Sequence, residues 1–186
     1  AFLSHPFSLM RYFGGDITHV QCFMNRAGVR STAADPMYSI NSIHCRFENG
    51  SVGYLISQRG DAMFGLGGWW SFEMAGTKGT FVIENCVEKL MYWDATTPKD
   101  SMTSPTPDEV LDTGISDFGT TFQNRLHAFL EDVTNKVPKE HLRSSGRDAL
   151  ATLEYTFAAI KSFEEGGSLV RVEPLPNLHG DPKYVW

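Results

Sequence analysis

The feature that most constrains the fold is a series of segments in which apolar and polar residues alternate. Residues 17–26, 37–47, 51–59, 69–76 and 80–94 follow this pattern, and short turns join most of them. Alternation with a period of two predicts β-strands, each with one face buried. Short connections make consecutive strands run in opposite directions, so the sequence predicts a largely antiparallel sheet.

One pair of these segments carries a clear hairpin signal. The "ENG" stretch (residues 48–50) separates residues 37–47 from residues 51–59, and its Asn49-Gly50 dipeptide favours the positive φ angles of a tight primed turn. Residues 95–119 instead collect Thr, Pro, Ser and Asp without periodicity, which predicts a surface loop.

Three helices are predicted around the strands. Ser4 reads as the N-cap of the first helix, Pro6 suits its first turn, and Gly14-Gly15 ends it. The other two span residues 120–134 and 146–165 and carry apolar residues at helical spacing. On the earlier helix these residues are Phe122, Leu126, Phe129, Leu130 and Val133; on the later one Leu150, Leu153, Phe157 and Ile160 are expected to face inward.

A last strand closes the predicted order of elements. The "SLVRVE" segment follows the third helix. The sequence therefore predicts a single α+β domain over residues 1–186, with an open, largely antiparallel sheet and helices packed on one face.

Composition excludes several classes of function. The net charge of −6 and the absence of any Lys/Arg block argue against a nucleic-acid partner. The sequence has no apolar stretch of about 18 residues, so no membrane association is expected. Cys22, Cys45 and Cys86 are odd in number and far apart, which favours free thiols in a reducing compartment and thus a cytoplasmic protein.

His5 is the first candidate for chemistry. It lies in the first turn of the predicted first helix, where the positive end of the helix dipole favours a neutral, proton-accepting imidazole. That suits a general base near neutral pH. The alternative is a histidine that packs under a neighbouring element.

The tryptophan pair after the "GLGG" stretch is the second candidate. The stretch lacks the Lys-Ser/Thr ending of a phosphate loop, so we interpret it as a bend. Trp69 and Trp70 alternate along a strand, and the outward-facing ring would line a sugar pocket or an interface. No metal site is expected, because His44 and Arg46 lack further ligands at suitable spacing.

Four stretches together resemble one protein family. Residues 4–15, 72–84, 122–138 and 144–173 are similar, in order, to segments of the C-terminal domain of the glucose–fructose oxidoreductase/inositol dehydrogenase/rhizopine-catabolism (Gfo/Idh/MocA) family. The resemblance implies a sheet domain like the C-terminal domain of glyceraldehyde-3-phosphate dehydrogenase. It also implies an upstream Rossmann domain, absent here, that binds NAD or NADP.

The resemblance assigns roles to several residues. His5 stands at the family's catalytic histidine, which relays a proton while hydride leaves a sugar or cyclitol carbon. Two family aspartates correspond to Ala1 and Ser8, so the histidine lacks their orienting carboxylates. Phe122 stands where the family often has Tyr.

Two hypotheses follow. In the first, the chain is the substrate-binding and oligomerisation domain of an NAD(P)-dependent oxidoreductase for a small hydroxylated substrate. Its base is His5, its pocket is lined by Ser8, Phe122 and Trp69, and the chain alone binds no dinucleotide. In the second, it is a degenerate binding or assembly module. Apolar residues on both faces of the sheet predict a homodimer or tetramer through the sheet in either case.

Overall fold

Two compact units make up the chain. The computed structural model describes residues 3–25, 40–58, 71–85, 87–115 and 118–175. One unit comprises residues 1–61 and 138–186, and the other comprises residues 62–137. Each contains a four-stranded antiparallel sheet. The three described α-helices and the antiparallel strands confirm the predicted α+β class. The single-domain organisation stays a prediction.

The elements follow in chain order. They are α1 (Ser4–Gly14), β1 (Ile17–Asn25), β2 (Ile40–Phe47), β3 (Val52–Gln58), β4 (Phe72–Ala75), β5 (Gly79–Glu84), β6 (Lys89–Asp94), β7 (Glu109–Asp112), α2 (Phe118–Thr134), α3 (Gly146–Glu164) and β8 (Val170–Arg171). A short 3-10 helix (Lys139–His141) precedes α3. Within the described ranges, no helix is both long and apolar enough to cross a membrane.

The first unit has its core between α3 and the sheet of order β3-β2-β1-β8. Val20 and Cys22 of β1 are buried, and so are Ile43, Cys45 and Phe47 of β2. The polar residues between them, such as His44 and Arg46, are exposed. Burial therefore alternates along these two strands with the period of two that the sequence shows.

The β2–β3 hairpin is confirmed, with its turn at the predicted residues. The amide of Phe47 donates to the carbonyl of Ser51, and the amide of Gly50 donates to the carbonyl of Phe47. The Asn49 carboxamide oxygen accepts a hydrogen bond from the amide of Ser51. Among the residues of this turn, positive φ occurs at Gly50 alone, with a value of 85°. The Phe47–Ser51 bond thus closes the expected loop over residues 48–50, but positive φ at its last residue alone is not the predicted primed turn.

The buried side of α3 differs from the prediction. Leu150, Leu153, Phe157 and Ile160 are between 38% and 53% exposed. Thr152, Tyr155, Ala159 and Ser162 are instead at most 4% exposed. Small residues let a helix approach a sheet closely, and the two hydroxyls of Tyr155 and Ser162 hydrogen-bond the backbone of β1. The buried face therefore combines small side chains with hydroxyl groups that bond the neighbouring strand.

The second unit contains the sheet of order β4-β5-β6-β7. β7 lies inside the predicted surface loop of residues 95–119, so that prediction is wrong over Glu109–Asp112. All four β7 residues are exposed, which explains why their pattern carried no strand signal. The apolar stripe of α2 is between 47% and 63% exposed. Packing of both long helices on one sheet face stays a prediction.

Candidate active-site helix and its surroundings

α1 carries two of the predicted site residues. His5 is exposed in its first turn, and Ser8, three residues later, is half-buried. Residues three apart are neighbours on a helix surface, so α1 brings these two side chains together. The N-cap is Leu3, which makes no side-chain cap, and Ser4 is the first helical residue. The predicted Ser4 cap is therefore wrong by one residue, whereas the ending at Gly14 and Gly15 is confirmed.

The opposite side of α1 is packed into the first unit. Phe7 is fully buried, and its ring meets that of Tyr155 edge to face with centroids 5.8 Å apart. Met10 is buried one turn later. A Cβ on Gly14 would lie 2.6 Å from Cε1 of Phe47, so the absence of a side chain allows the close approach. These contacts hold the helix that carries His5.

Arg11 is also on α1, one turn after Ser8. In the structure its Nε donates to Oδ1 of Asp16 at 2.7 Å, and its NH1 group donates to Oδ1 of Asp148. Desolvation by burial lowers the pKa of Arg11, but hydrogen bonds to the two aspartates outweigh it and leave the pKa above its ordinary value.

Tyr155 of α3 also contacts Asp16, the partner of Arg11. Nothing in the sequence indicated that the Tyr155 hydroxyl would take part in hydrogen bonds here. Its hydroxyl donates to Oδ1 of Asp16 at 3.1 Å and accepts from the amide of Ile17 at 3.3 Å. Burial is the main cause that raises the pKa of Tyr155 above its ordinary value. A tyrosine at helical spacing among apolar residues gives no signal in the sequence for such a role.

The other two predicted pocket residues are Phe122 and Trp69. Phe122 lies on α2 in the second unit and is 59% exposed. Trp69 lies outside the described residues. The roles of both residues stay predictions, as do those of His5 and Ser8.

The second unit has a shallow groove of about 380 Å³ on its sheet. Glu73, Thr80, Trp93 and Lys99 are among the residues that line it. Nε1 of Trp93 donates to the carbonyl of Pro105 at 2.8 Å, and the Lys99 ammonium pairs with Asp108. Two of the polar side chains that line the groove are thus bonded within the chain. The described residues also contain no cluster of three or more His, Cys, Asp or Glu that could hold a metal ion.

α1 is thus the element best suited to chemistry. It presents an imidazole to solvent and a hydroxyl beside it, on a helix whose other side is fixed by aromatic packing and ion pairs. An imidazole in this setting can accept a proton from a bound alcohol and return it to solvent.

Comparison with solved structures identifies proteins with the same fold. A levoglucosan dehydrogenase in complex with NADH matches with a TM-score of 0.72 and 18% identity, over 94% of this chain and 49% of that chain. An NAD-binding oxidoreductase from Klebsiella pneumoniae matches with a TM-score of 0.72 and 14% identity, over 92% of this chain and 49% of that chain. A putative myo-inositol dehydrogenase from Sinorhizobium meliloti 1021 matches with a TM-score of 0.65 and 17% identity, over 92% of this chain and 49% of that chain.

Sequence comparison adds no closer relative: no protein-family model matches the chain, and no curated protein matches it. The chain spans about half the length of the solved structures that it matches. Those neighbours are oxidoreductases of the Gfo/Idh/MocA type, the kind that the sequence resembles. At this level of identity the likeness establishes a shared fold, and the chain has the α+β fold found in about half of each of these oxidoreductases.

Proposed function

We propose that this chain is the substrate-binding and oligomerisation part of an NAD(P)-dependent oxidoreductase that acts on a sugar, polyol or cyclitol. The observation that carries the proposal is the fold likeness, which covers 92–94% of this chain and about half of each neighbour. Among those neighbours, levoglucosan dehydrogenase forms complexes with NADH. The sequence resemblance supports the same proposal. In the resembled family, a nucleotide-binding domain lies upstream of the domain that this chain resembles.

In this proposal His5 is the base for the substrate alcohol. Oxidation of a secondary alcohol breaks an O–H and a C–H bond and forms a carbonyl. The proton passes to the imidazole of His5, and the nicotinamide cofactor, when bound, supplies the acceptor for the hydride. Ser8 hydrogen-bonds a neighbouring substrate hydroxyl, since it lies one turn from His5. Phe122 and Trp69 offer ring faces to the C–H side of the substrate.

The residues of this chain fit the substrate better than the cofactor. A dinucleotide phosphate binds well at a helix N-terminus with uncapped amides that follows a glycine-rich turn. At the start of α3 the hydroxyl of Ser145 accepts from the amide of Asp148, and the Asp148 carboxylate accepts from the amide of Ser145. This negatively charged capping box disfavours a phosphate there. α1 has no side-chain cap, but the residues before it contain no glycine. We assign dinucleotide binding to an upstream domain on the ground of the sequence resemblance.

Oligomerisation is assigned to the face of the first sheet opposite α3. Val52, Tyr54 and Ile56 of β3 are 78%, 67% and 71% exposed, and Phe23 of β1 is 51% exposed. Tyr54 pairs in register with His44, on the strand next to it. A mixed apolar and polar sheet face of this kind is typical of a surface that a second copy covers. We propose a homodimer, or a tetramer built from it.

A second candidate function is favoured by the residues around His5. Ala1 and Ser8 stand where the resembled family has aspartates, so His5 lacks those carboxylates. The same exposed sheet face would then serve assembly alone. The two candidates differ in one experiment: the natural full-length protein is supplied with NAD⁺ or NADP⁺ and a panel of sugars, polyols and cyclitols. Substrate-dependent formation of NADH or NADPH supports the oxidoreductase, and its absence with intact oligomerisation supports the assembly module.

A further inference from the structure

Three elements of the first unit meet at one charged cluster. The Arg11 guanidinium, on the last turns of α1, bonds Asp16 just before β1 and Asp148 in the first turn of α3. These carboxylates are 132 residues apart in sequence, so the arginine joins distant parts of the chain. Its side chain is 24% exposed, compared with 55% for Asp16 and 31% for Asp148.

Asp16 and Asp148 each accept hydrogen bonds from a further residue besides Arg11. Oδ2 of Asp148 accepts from the amide and the hydroxyl of Ser145 at 2.7 and 2.8 Å, which leaves Oδ1 for Arg11. Asp16 accepts from the Tyr155 hydroxyl at 3.1 Å. A planar guanidinium with fixed donor directions, between two fixed acceptors, is restricted in orientation as well as in position.

This restriction acts on the helix that carries His5. Phe7 and Met10 fix the buried side of α1, and Arg11 fixes it from a second direction. No side-chain cap holds the N-terminal end of α1 at Leu3. The contacts of Phe7, Met10 and Arg11 are therefore the described ones that limit rotation of the helix about its axis. His5 lies less than two turns from Arg11, within the same continuous helix.

We propose that Arg11 is a positioning residue: through Asp16 and Asp148 it sets the rotation of α1 and thereby aims His5 and Ser8 at the substrate. The inference rests on the proposed function for its catalytic consequence. The geometric part, control of the His5 environment by Arg11, is independent of catalysis.

The test uses Arg11→Met and Arg11→Lys in the natural full-length protein. Methionine keeps much of the length of the side chain and removes both ion pairs. Lysine keeps the charge but lacks the planar fork, so it also serves where methionine prevents folding. The control is Ser162→Ala, which weakens the contact between α3 and β1 without touching α1. Each variant is measured for kcat, for KM, for thermal stability and for the NMR signals of the His5 imidazole, with those of His141 as reference.

We expect Arg11→Met to lower kcat about 10- to 100-fold, as misplacement of a reacting group does, with Arg11→Lys between it and wild type. The KM for the dinucleotide stays unchanged and the His5 signals shift, while those of His141 do not. Ser162→Ala lowers stability and leaves kcat and the His5 signals unchanged. If Arg11→Met lowers stability alone, with unchanged kcat and His5 signals, the positioning role is refuted.

Failure of the proposed function gives a different result. If His5→Ala leaves kcat unchanged, His5 is not the base, yet a shift of the His5 signals in Arg11→Met still supports the geometric part. If His5→Ala abolishes turnover and Arg11→Met changes neither kcat nor the His5 signals, the proposed function stands and the positioning role fails.

Discussion

The backbone amide of Cys22, in the middle of β1, donates a hydrogen bond of 2.8 Å to the hydroxyl of Ser162 on α3. The same hydroxyl donates to the carbonyl of Ser168 at 2.5 Å. Ser162 and Cys22 are both fully buried, whereas Ser168 is exposed. One small polar side chain thus joins the last long helix, the central strand and the turn before β8.

Ser162→Ala should destabilise the first unit. The substitution leaves the amide of Cys22, a fully buried residue, without its hydrogen-bond acceptor, which costs about 1–3 kcal/mol. Urea unfolding followed by circular dichroism measures the change. Lys161→Ala is the matched control, because Lys161 is exposed on the neighbouring position of α3 and should change stability by about 0.5 kcal/mol or less. Equal stability of the two variants would mean that the Ser162 bonds contribute little.

A pair of glycines tests the contact between α1 and β2. Gly14→Ala puts a Cβ 2.6 Å from Phe47, so the ring must move, and overpacking of this kind costs about 1–3 kcal/mol. Gly146, at the start of α3, has open space around its Cα. Gly146→Ala should therefore be neutral or stabilise by up to about 1 kcal/mol. In thermal unfolding, the midpoint of Gly14→Ala should therefore lie below that of Gly146→Ala. Equal midpoints would contradict the packing of α1 on Phe47.

The buried thiols predict the response to alkaline pH. Burial raises the pKa of Cys22 to about 11 and that of Cys45 to about 12, from an ordinary value of 9.0. A raised pKa favours the protonated thiol in the folded state. The stability that the two protonated thiols contribute is fully present below pH 9. It is lost as pH rises from 9 through the thiol pKa values of the folded protein. The free energy of unfolding should therefore fall by up to about 1.4 kcal/mol per pH unit for each thiol in this window.

Two measurements check the thiols. In a Cys86→Ser background, iodoacetamide should label neither thiol of the native protein near neutral pH and both in urea. The alkaline loss of stability should be smaller in Cys45→Ala than in the parent, since one of the two groups is gone. Rapid native labelling, or identical pH profiles, would show that the thiols are accessible or ionise normally.

The exposed face of the first sheet predicts the oligomeric state. Tyr54→Lys combined with Ile56→Lys places two charges on that face and should convert a dimer into monomers. An interface of this kind buries more than about 1,000 Å², so light scattering at micromolar concentration should detect it. Tyr12→Lys is the control, because Tyr12 is 81% exposed on α1, away from the sheet. A monomeric wild-type protein would contradict this prediction.

The sequence predicts the sheets better than the helix faces. Alternation matched the burial along β1 and β2 because most of their large apolar residues, such as Ile43, share one parity, with Phe23 and Ile40 on the other. On α3 the same reasoning chose Leu153 and Phe157, since hydropathy ranks them above Tyr155 and Ser162. The hydroxyls of Tyr155 and Ser162 hydrogen-bond the backbone of β1, and no hydropathy pattern encodes these bonds.

The candidate site was predictable in part for a similar reason. Local sequence placed His5 and Ser8 on one short helix with a glycine ending, which the structure confirms. The partners of Arg11 were not predictable, because Asp148 is 137 residues away and reaches it only once α3 has folded. Trp69 lies outside the described residues, so its role stays a prediction.

We propose that this chain supplies the substrate side of an NAD(P)-dependent oxidoreductase, with His5 as its base. The role of His5 is tested by measuring kcat of the natural full-length protein and of His5→Ala, with NAD⁺ or NADP⁺ and the best sugar, polyol or cyclitol. His141→Ala, at an exposed histidine of the short 3-10 helix, is the matched control. We expect a loss of about 10²–10⁴ in kcat for His5→Ala and no change for His141→Ala. Equal turnover of His5→Ala and wild type would show that His5 is not the base.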